Sequence, residues 1–172
     1  MKRTDRFKKI RGFSLVEVVV TLMIMGILLG TVASVFLMAQ KVYTRGENIS
    51  YKQKSITNIE TDLQNALARA SYNGVTIDYA NPGGDYAIGF KDGVCVEVIG
   101  GNFYSTDQIS RFDFTVTNQN RMNYVITPKD ATMSQLKGGI VMNNVKVSPF
   151  SSEIIEGNSG TKYLVITYAT GS

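Results

Sequence analysis

Residues 12–39 read GFSLVEVVVTLMIMGILLGTVASVFLMA. Residues 18–39 are 22 positions without a charge. As a helix they would span roughly 33 Å, enough to cross a hydrocarbon layer of about 30 Å. One acid, Glu17, stands just inside the start. In front lies MKRTDRFKKIRG, where Lys2, Arg3, Arg6, Lys8, Lys9 and Arg11 face only Asp5, for a local charge of +5. Positive flanks stay on the cytoplasmic side, so the chain after Ala39 is expected outside.

A short basic leader ends in Gly12, Phe13 follows, Glu17 comes four residues later, and an apolar run continues. In this respect Gly12-Phe13-Ser14-Leu15-Val16-Glu17 resembles the precursor motif of type IV pilins and of the pseudopilins of secretion and competence systems. The resemblance is specific over residues 8–40, weaker to about Ser71, and carries no motif beyond. It implies removal of the leader between Gly12 and Phe13 by a prepilin peptidase, N-methylation of Phe13, and filament assembly with other subunits through the apolar helix. An assembly platform at the membrane is the further partner implied. The single Cys departs from the many Gram-negative pilins that carry a C-terminal disulfide, since one Cys forms none internally.

A basic flank before an apolar run also fits a secretory signal or an uncleaved single-pass anchor. A secretory signal has a core of about 7–15 apolar residues ending in small residues; this core is longer, and Ala33-Ser34-Val35 is a poor cleavage site. Glu17 bears on the choice, because a carboxylate in hydrocarbon costs on the order of 2.5–3.5 kcal/mol and calls for a partner. A cut at Gly12 would supply one in the Phe13 amine of a neighbouring subunit, with snorkelling of Glu17 to the headgroups as the alternative. Gly26 and Gly30 are four apart, with Ser34 at the next step. That stripe serves close helix packing, or marks where the helix loosens, or reflects the ordinary frequency of glycine in membrane helices.

The net charge of +4 belongs to the leader. Residues 13–172 hold 12 basic and 13 acidic side chains, so nothing in the charge balance favours nucleic acid.

Beyond residue 40 the chain turns polar, and Ile49, Ile56, Ile59, Leu63, Leu67 and Ala70 recur on one helical face. Lys52, Lys54, Asn58, Thr61 and Asp62 occupy the other. Gly46 is a candidate kink, and Asn73-Gly74 after Tyr72 a candidate helix stop. A helix over residues 13–72 would be roughly 90 Å long, so its first half is expected to project from a domain of this size. The period then falls to two. Strands are expected at residues 75–79, 86–90, 94–99, 111–117, 121–127, 140–147 (with a turn at Asn143-Asn144) and 162–169, separated by Gly-, Asn- and Asp-rich turns.

The architecture that follows is α+β: a long N-terminal helix whose apolar half projects and whose amphipathic half covers an antiparallel sheet. It agrees with the pilin-like fold that the resemblance implies. The expected parts are a leader (1–12), an apolar transmembrane and assembly segment (13–40), an amphipathic helix (41–73) and a β-rich part (74–172). Within the family, ITNIETDLQNALARA at residues 56–70 and the β-rich remainder look more like minor pilins or J-type pseudopilins than an abundant major pilin.

Chemistry has little to stand on. The chain has no His, which removes the usual general base and the commonest metal ligand. Cys95, in GVCVEVIGG, reads as structural, since a reactive thiol wants electropositive, partly open surroundings. Ser134 and Lys137 form one S-x-x-K without companion motifs. Asp78, Asn81 and Asp85 offer oxygens to Ca²⁺, or serve a turn. Tyr72, Tyr79, Tyr86, Tyr104, Tyr124, Tyr163 and Tyr168 form a candidate binding surface, or fill strands. No enzyme, cofactor or metal is expected. The expected function is that of a structural subunit of a type IV pilus-like filament, a minor pilin, in the cytoplasmic membrane with its N terminus inside and then in an extracytoplasmic filament. The alternatives are a pseudopilin of type II secretion or DNA uptake, and an uncleaved membrane-anchored extracellular binding module.

Overall fold

A serine followed three residues later by a glutamate is a helix-start pattern, and in the computed structural model Ser14 opens α1 (Leu15–Arg69). The Ser14 carbonyl accepts the N–H groups of Glu17 at 2.9 Å and Val18 at 3.2 Å. The structure describes residues 14–117, 120–145, 151–158 and 160–169; Gly12, Phe13 and the leader lie outside them. The chain divides into two compact units, residues 1–48 and 49–172.

In the first unit the described chain is helical from Leu15 onward, and every side chain of residues 14–48 is exposed. α1 is long and apolar enough to cross a membrane. Its few hydroxyls bond within the helix: Thr21 donates to the Glu17 carbonyl at 2.6 Å, Thr31 to Leu28 at 2.8 Å and Ser34 to Gly30 at 2.8 Å. These three hydroxyls are satisfied without water, as a hydrocarbon environment demands. α1 continues through Gly46 without a break in its hydrogen-bonded helix.

The described residues of the second unit hold the last turns of α1 and nine strands. These are β1 (Ala70–Asp78), β2 (Tyr86–Lys91), β3 (Val94–Ile99), β4 (Asn102–Thr106), β5 (Ile109–Thr117), β6 (Arg121–Pro128), β7 (Leu136–Val141), β8 (Ser152–Glu156) and β9 (Lys162–Tyr168). They form two antiparallel sheets where the sequence suggested one, in the orders β1-β9-β2-β3-β4 and β7-β6-β5-β8. Ile56, Ile59, Leu63, Ala66 and Leu67 of α1 share one core with Ile88 and Phe90 of the first sheet and Phe112, Phe114, Met122 and Ile126 of the second. Phe90 and Phe112 join the sheets, with ring centroids 5.7 Å apart. Ile49, expected on the buried stripe, is 40% exposed, so the stripe begins at Ile56. A second cluster, Ala87, Val96, Val98, Tyr163 and Val165, lies on the other set of alternating positions of β2, β3 and β9. Those strands are therefore apolar on both faces.

Four expectations change. The helix stops at Arg69, not at Asn73-Gly74, because β1 begins pairing with β9 at once, Ala70 opposite Tyr168. The Arg69 carbonyl is met by the Ala169 N–H at 3.0 Å. Asn73-Gly74 lies instead in the irregular stretch between the Ala70 and Val75 pairings, where a Cβ on Gly74 would stand 2.2 Å from the Thr167 carbonyl oxygen. β4 was not expected, though its signal is in the sequence: Gly100-Gly101, both with positive φ (55° and 84°), joins Ile99 to Asn102 as a two-residue hairpin. The strand expected at residues 140–147 runs over Leu136–Val141, through Gly138-Gly139, because pairing with β6 sets its register; Met142 and Val145 are buried beyond its end, and residues 146–147 lie outside the described chain. Among the described residues β8 pairs only with β5, and it is short, which weakened its sequence signal.

Candidate functional site

The elements that the sequence marks for function lie at the start of α1. Glu17 is exposed, in the first turn of the helix, and neither it nor Ser14 makes a side-chain hydrogen bond or ion pair among the described residues. Its place at the third helical position puts the carboxylate at the positive end of the backbone dipole, worth roughly 0.3–1 kcal/mol. That is less than the cost of a carboxylate in hydrocarbon, on the order of 2.5–3.5 kcal/mol. The local helix therefore does not by itself make Glu17 comfortable at membrane depth. Farther along, a Cβ added to Gly26 or Gly30 would meet nothing within 4 Å. No intrachain contact among the described residues requires glycine at either position.

The other sequence candidates are spread over the second unit. Asp78 accepts the N–H groups of Ala80 at 2.8 Å and Asn81 at 3.1 Å, and these bonds hold its carboxyl below the usual carboxylate range. Asp85 accepts the Tyr168 N–H at 2.7 Å. Asp78 thus closes a backbone turn, the alternative that accompanied the Ca²⁺ reading, whereas Asp85 reaches across to the end of β9. Cys95 is buried, and burial, then the Glu97 carboxylate, pushes its thiol pKa up. A thiol in that setting is a poor nucleophile. Ser134 and Lys137 are both exposed, Lys137 on β7, and no hydrogen bond joins them. The tyrosines do not form one surface: Tyr86, Tyr124 and Tyr163 are core residues, whereas Tyr72, Tyr79 and Tyr104 are exposed.

Sequence reasoning passed over Glu97, the one buried charged residue among those described. Its carboxylate accepts the Tyr86 hydroxyl at 2.8 Å. Burial raises its pKa to about 7, the Tyr86 hydrogen bond pulls the other way, and the Asp62 charge adds to the rise. Its signal was a lone acid in the apolar strand VCVEVI. A second polar link ties α1 to β6: Gln64 donates to the Tyr124 hydroxyl, which donates to Glu60 at 2.8 Å.

Residues 7–33 match a protein-family model described as the prokaryotic N-terminal methylation motif. That stretch takes in the end of the basic N-terminal segment, Gly12, Phe13, Glu17, Gly26 and Gly30. Comparison of the chain with curated proteins and with solved structures gives no match.

Proposed function

We propose that this chain is a non-enzymatic structural subunit of a type IV pilus-like filament, and within that class a minor pilin. It is made as a precursor with residues 1–12 as leader, cut by a prepilin peptidase between Gly12 and Phe13, and methylated on the Phe13 amine. It then waits in the cytoplasmic membrane with its N terminus inside, and an assembly platform moves it into an extracytoplasmic filament. Residues 13–40 serve as membrane anchor and assembly segment, with Gly26 and Gly30 on the face where another helix approaches.

One observation carries this proposal. The methylation motif at residues 7–33 overlaps the first part of α1, where the apolar side chains of residues 15–48 are all exposed, Leu15 at 81% and Met38 at 69% among them. Apolar surface on that scale calls for lipid or other helices. Glu17 adds a reason to prefer other helices. Pairing with the Phe13 amine of a neighbour would compensate two desolvated charges together, and methylation leaves that amine positive.

Mass spectrometry of the protein from cells that possess the peptidase tests the proposal. The expected N terminus is Phe13 bearing one added methyl group. An intact Met1 in the membrane fraction would overturn it and leave a tethered β-rich module.

A further inference from the structure

Between the distal part of α1 and the β3–β4 edge of the larger sheet lies an open cavity of about 400 Å³. Ile59 and Asp62 come from α1, Glu97 and Ile99 from β3, and Tyr104 from β4. Ser55, also on its wall, is hydrogen-bonded to Thr106 at 3.3 Å.

The charges around this space do not balance. Glu97 is only 7% exposed, and one of its carboxylate oxygens is taken by Tyr86. Among the described residues no hydrogen bond reaches the other oxygen, yet no fully buried side-chain polar atom lacks a partner. That oxygen therefore opens on the cavity. Asp62 stands on the same wall, and among the described residues it has no ion pair or hydrogen bond and no Lys or Arg lines the space. The described ion pairs lie elsewhere, at Lys52–Asp130, Arg111 with Asp113 and Glu156, and Lys162–Glu153. A largely enclosed carboxylate with no cation beside it is costly to ionise.

The remaining walls narrow the choice of cation. Ca²⁺ takes about six to eight oxygen ligands, and no group of three acidic, His or Cys ligands exists among the described residues. Two isoleucines and a tyrosine ring suit a methylene stem instead, and the polar side chains of Ser55, Asn58, Ser105 and Thr106 on the same walls offer oxygens to the N–H donors of an ammonium group. We propose that this cavity binds a protonated primary alkylamine, the group that ends a lysine side chain, with Asp62 and Glu97 as its anionic partners and Tyr104 against its stem. The ligand source is either a free amine or a lysine of an extended polypeptide laid along the unpaired edge of β4.

The pH dependence of binding follows from the same wall. Glu97 is faced by Tyr86 of β2, Cys95 of its own strand, Asp62 of α1 and Tyr104 of β4, all acids or neutral groups. With its pKa at about 7, it is mostly protonated at pH 6 and mostly ionised at pH 8.

The test uses the full chain, isotope-labelled in detergent micelles, titrated with n-butylammonium chloride against sodium chloride of equal ionic strength. Saturable amide shifts are expected in residues 55–62 and 102–106, with affinity falling roughly tenfold from pH 8 to pH 6. Asp62→Asn and Glu97→Gln should each weaken binding about tenfold or more. Asp62 is partly exposed and makes no hydrogen bond among the described residues, so Asp62→Asn remains informative if Glu97→Gln fails to fold. Absence of a saturable shift, equal affinity in Asp62→Asn, or a saturable response to calcium chloride in place of the amine would each overturn the proposal. A lysine-centred acetylated tripeptide amide separates the sources: tighter binding than n-butylammonium identifies a polypeptide lysine, equal binding a free amine, and both support the amine site.

Discussion

Glu17 and Glu97 are the two acids whose surroundings matter most, and they differ in what surrounds them. Glu17 has only the helix start to stabilise it, so Glu17→Ala is expected to leave cleavage and membrane insertion intact while blocking entry into filaments. Comparing mutant and wild-type subunits in the membrane and sheared-filament fractions measures this, and wild-type incorporation of the mutant contradicts the proposed pairing. Glu97 is enclosed, with its folded pKa raised to about 7 from a usual 4.5. A raised carboxyl pKa means the native state holds the proton more tightly than the unfolded chain. Its contribution to stability is therefore full below about pH 4.5 and is lost as pH rises to about 7, a change on the order of 3 kcal/mol. Urea unfolding at pH 4.5 and pH 8 should show this slope in the wild type and lose it in Glu97→Gln. The lone acid in VCVEVI was visible in the sequence. Its hydrogen-bond partner Tyr86 was not, because the two meet only through the β2–β3 register, with Ile88 opposite Glu97 and Tyr86 opposite Ile99.

At the level of elements, the α1 stripe shows what periodicity conveys. Ile56, Ile59, Leu63 and Leu67 repeat at helical spacing and all enter the core. Leu63 is fully buried, so Leu63→Ala should cost about 2–5 kcal/mol, read as a lowered urea midpoint. The β3–β4 hairpin depends on its turn. Gly101 sits at φ 84°, and Gly101→Ala should destabilise the domain by roughly 1–2 kcal/mol through left-handed backbone strain. An unchanged thermal midpoint in that variant would contradict the turn assignment. Element ends were harder to read than element types, for a reason visible at Arg69. Residues 70–74, ASYNG, carry a conventional stop signal, but hydrogen bonding to β9, a strand almost a hundred residues later, claims Ala70 first. β7 shows the same override, since two glycines weaken its local preference and β6 supplies the pairing.

At the scale of the whole chain, the two units call for different solvents. Among the described residues the buried apolar core comes from Ile56 onward, and residues 49–172 form a compact unit by themselves. A fragment of residues 49–172 is therefore expected to be soluble without detergent and to unfold cooperatively, whereas the full chain is expected to need detergent or lipid. Circular dichroism melting and sedimentation of the fragment check this, and aggregation or a non-cooperative melt would refute it. The long apolar helix, the methylation motif, the amphipathic stripe and the change from helix to strands could all be read from residue order, because each depends on neighbours a few positions apart. The division of the strands into two sheets, the end of α1 at Arg69, and the meeting of Asp62, Glu97 and Tyr104 around one cavity came from folding. They depend on which distant strands pair and in what register, and the interactions that decide this join residues remote in the chain.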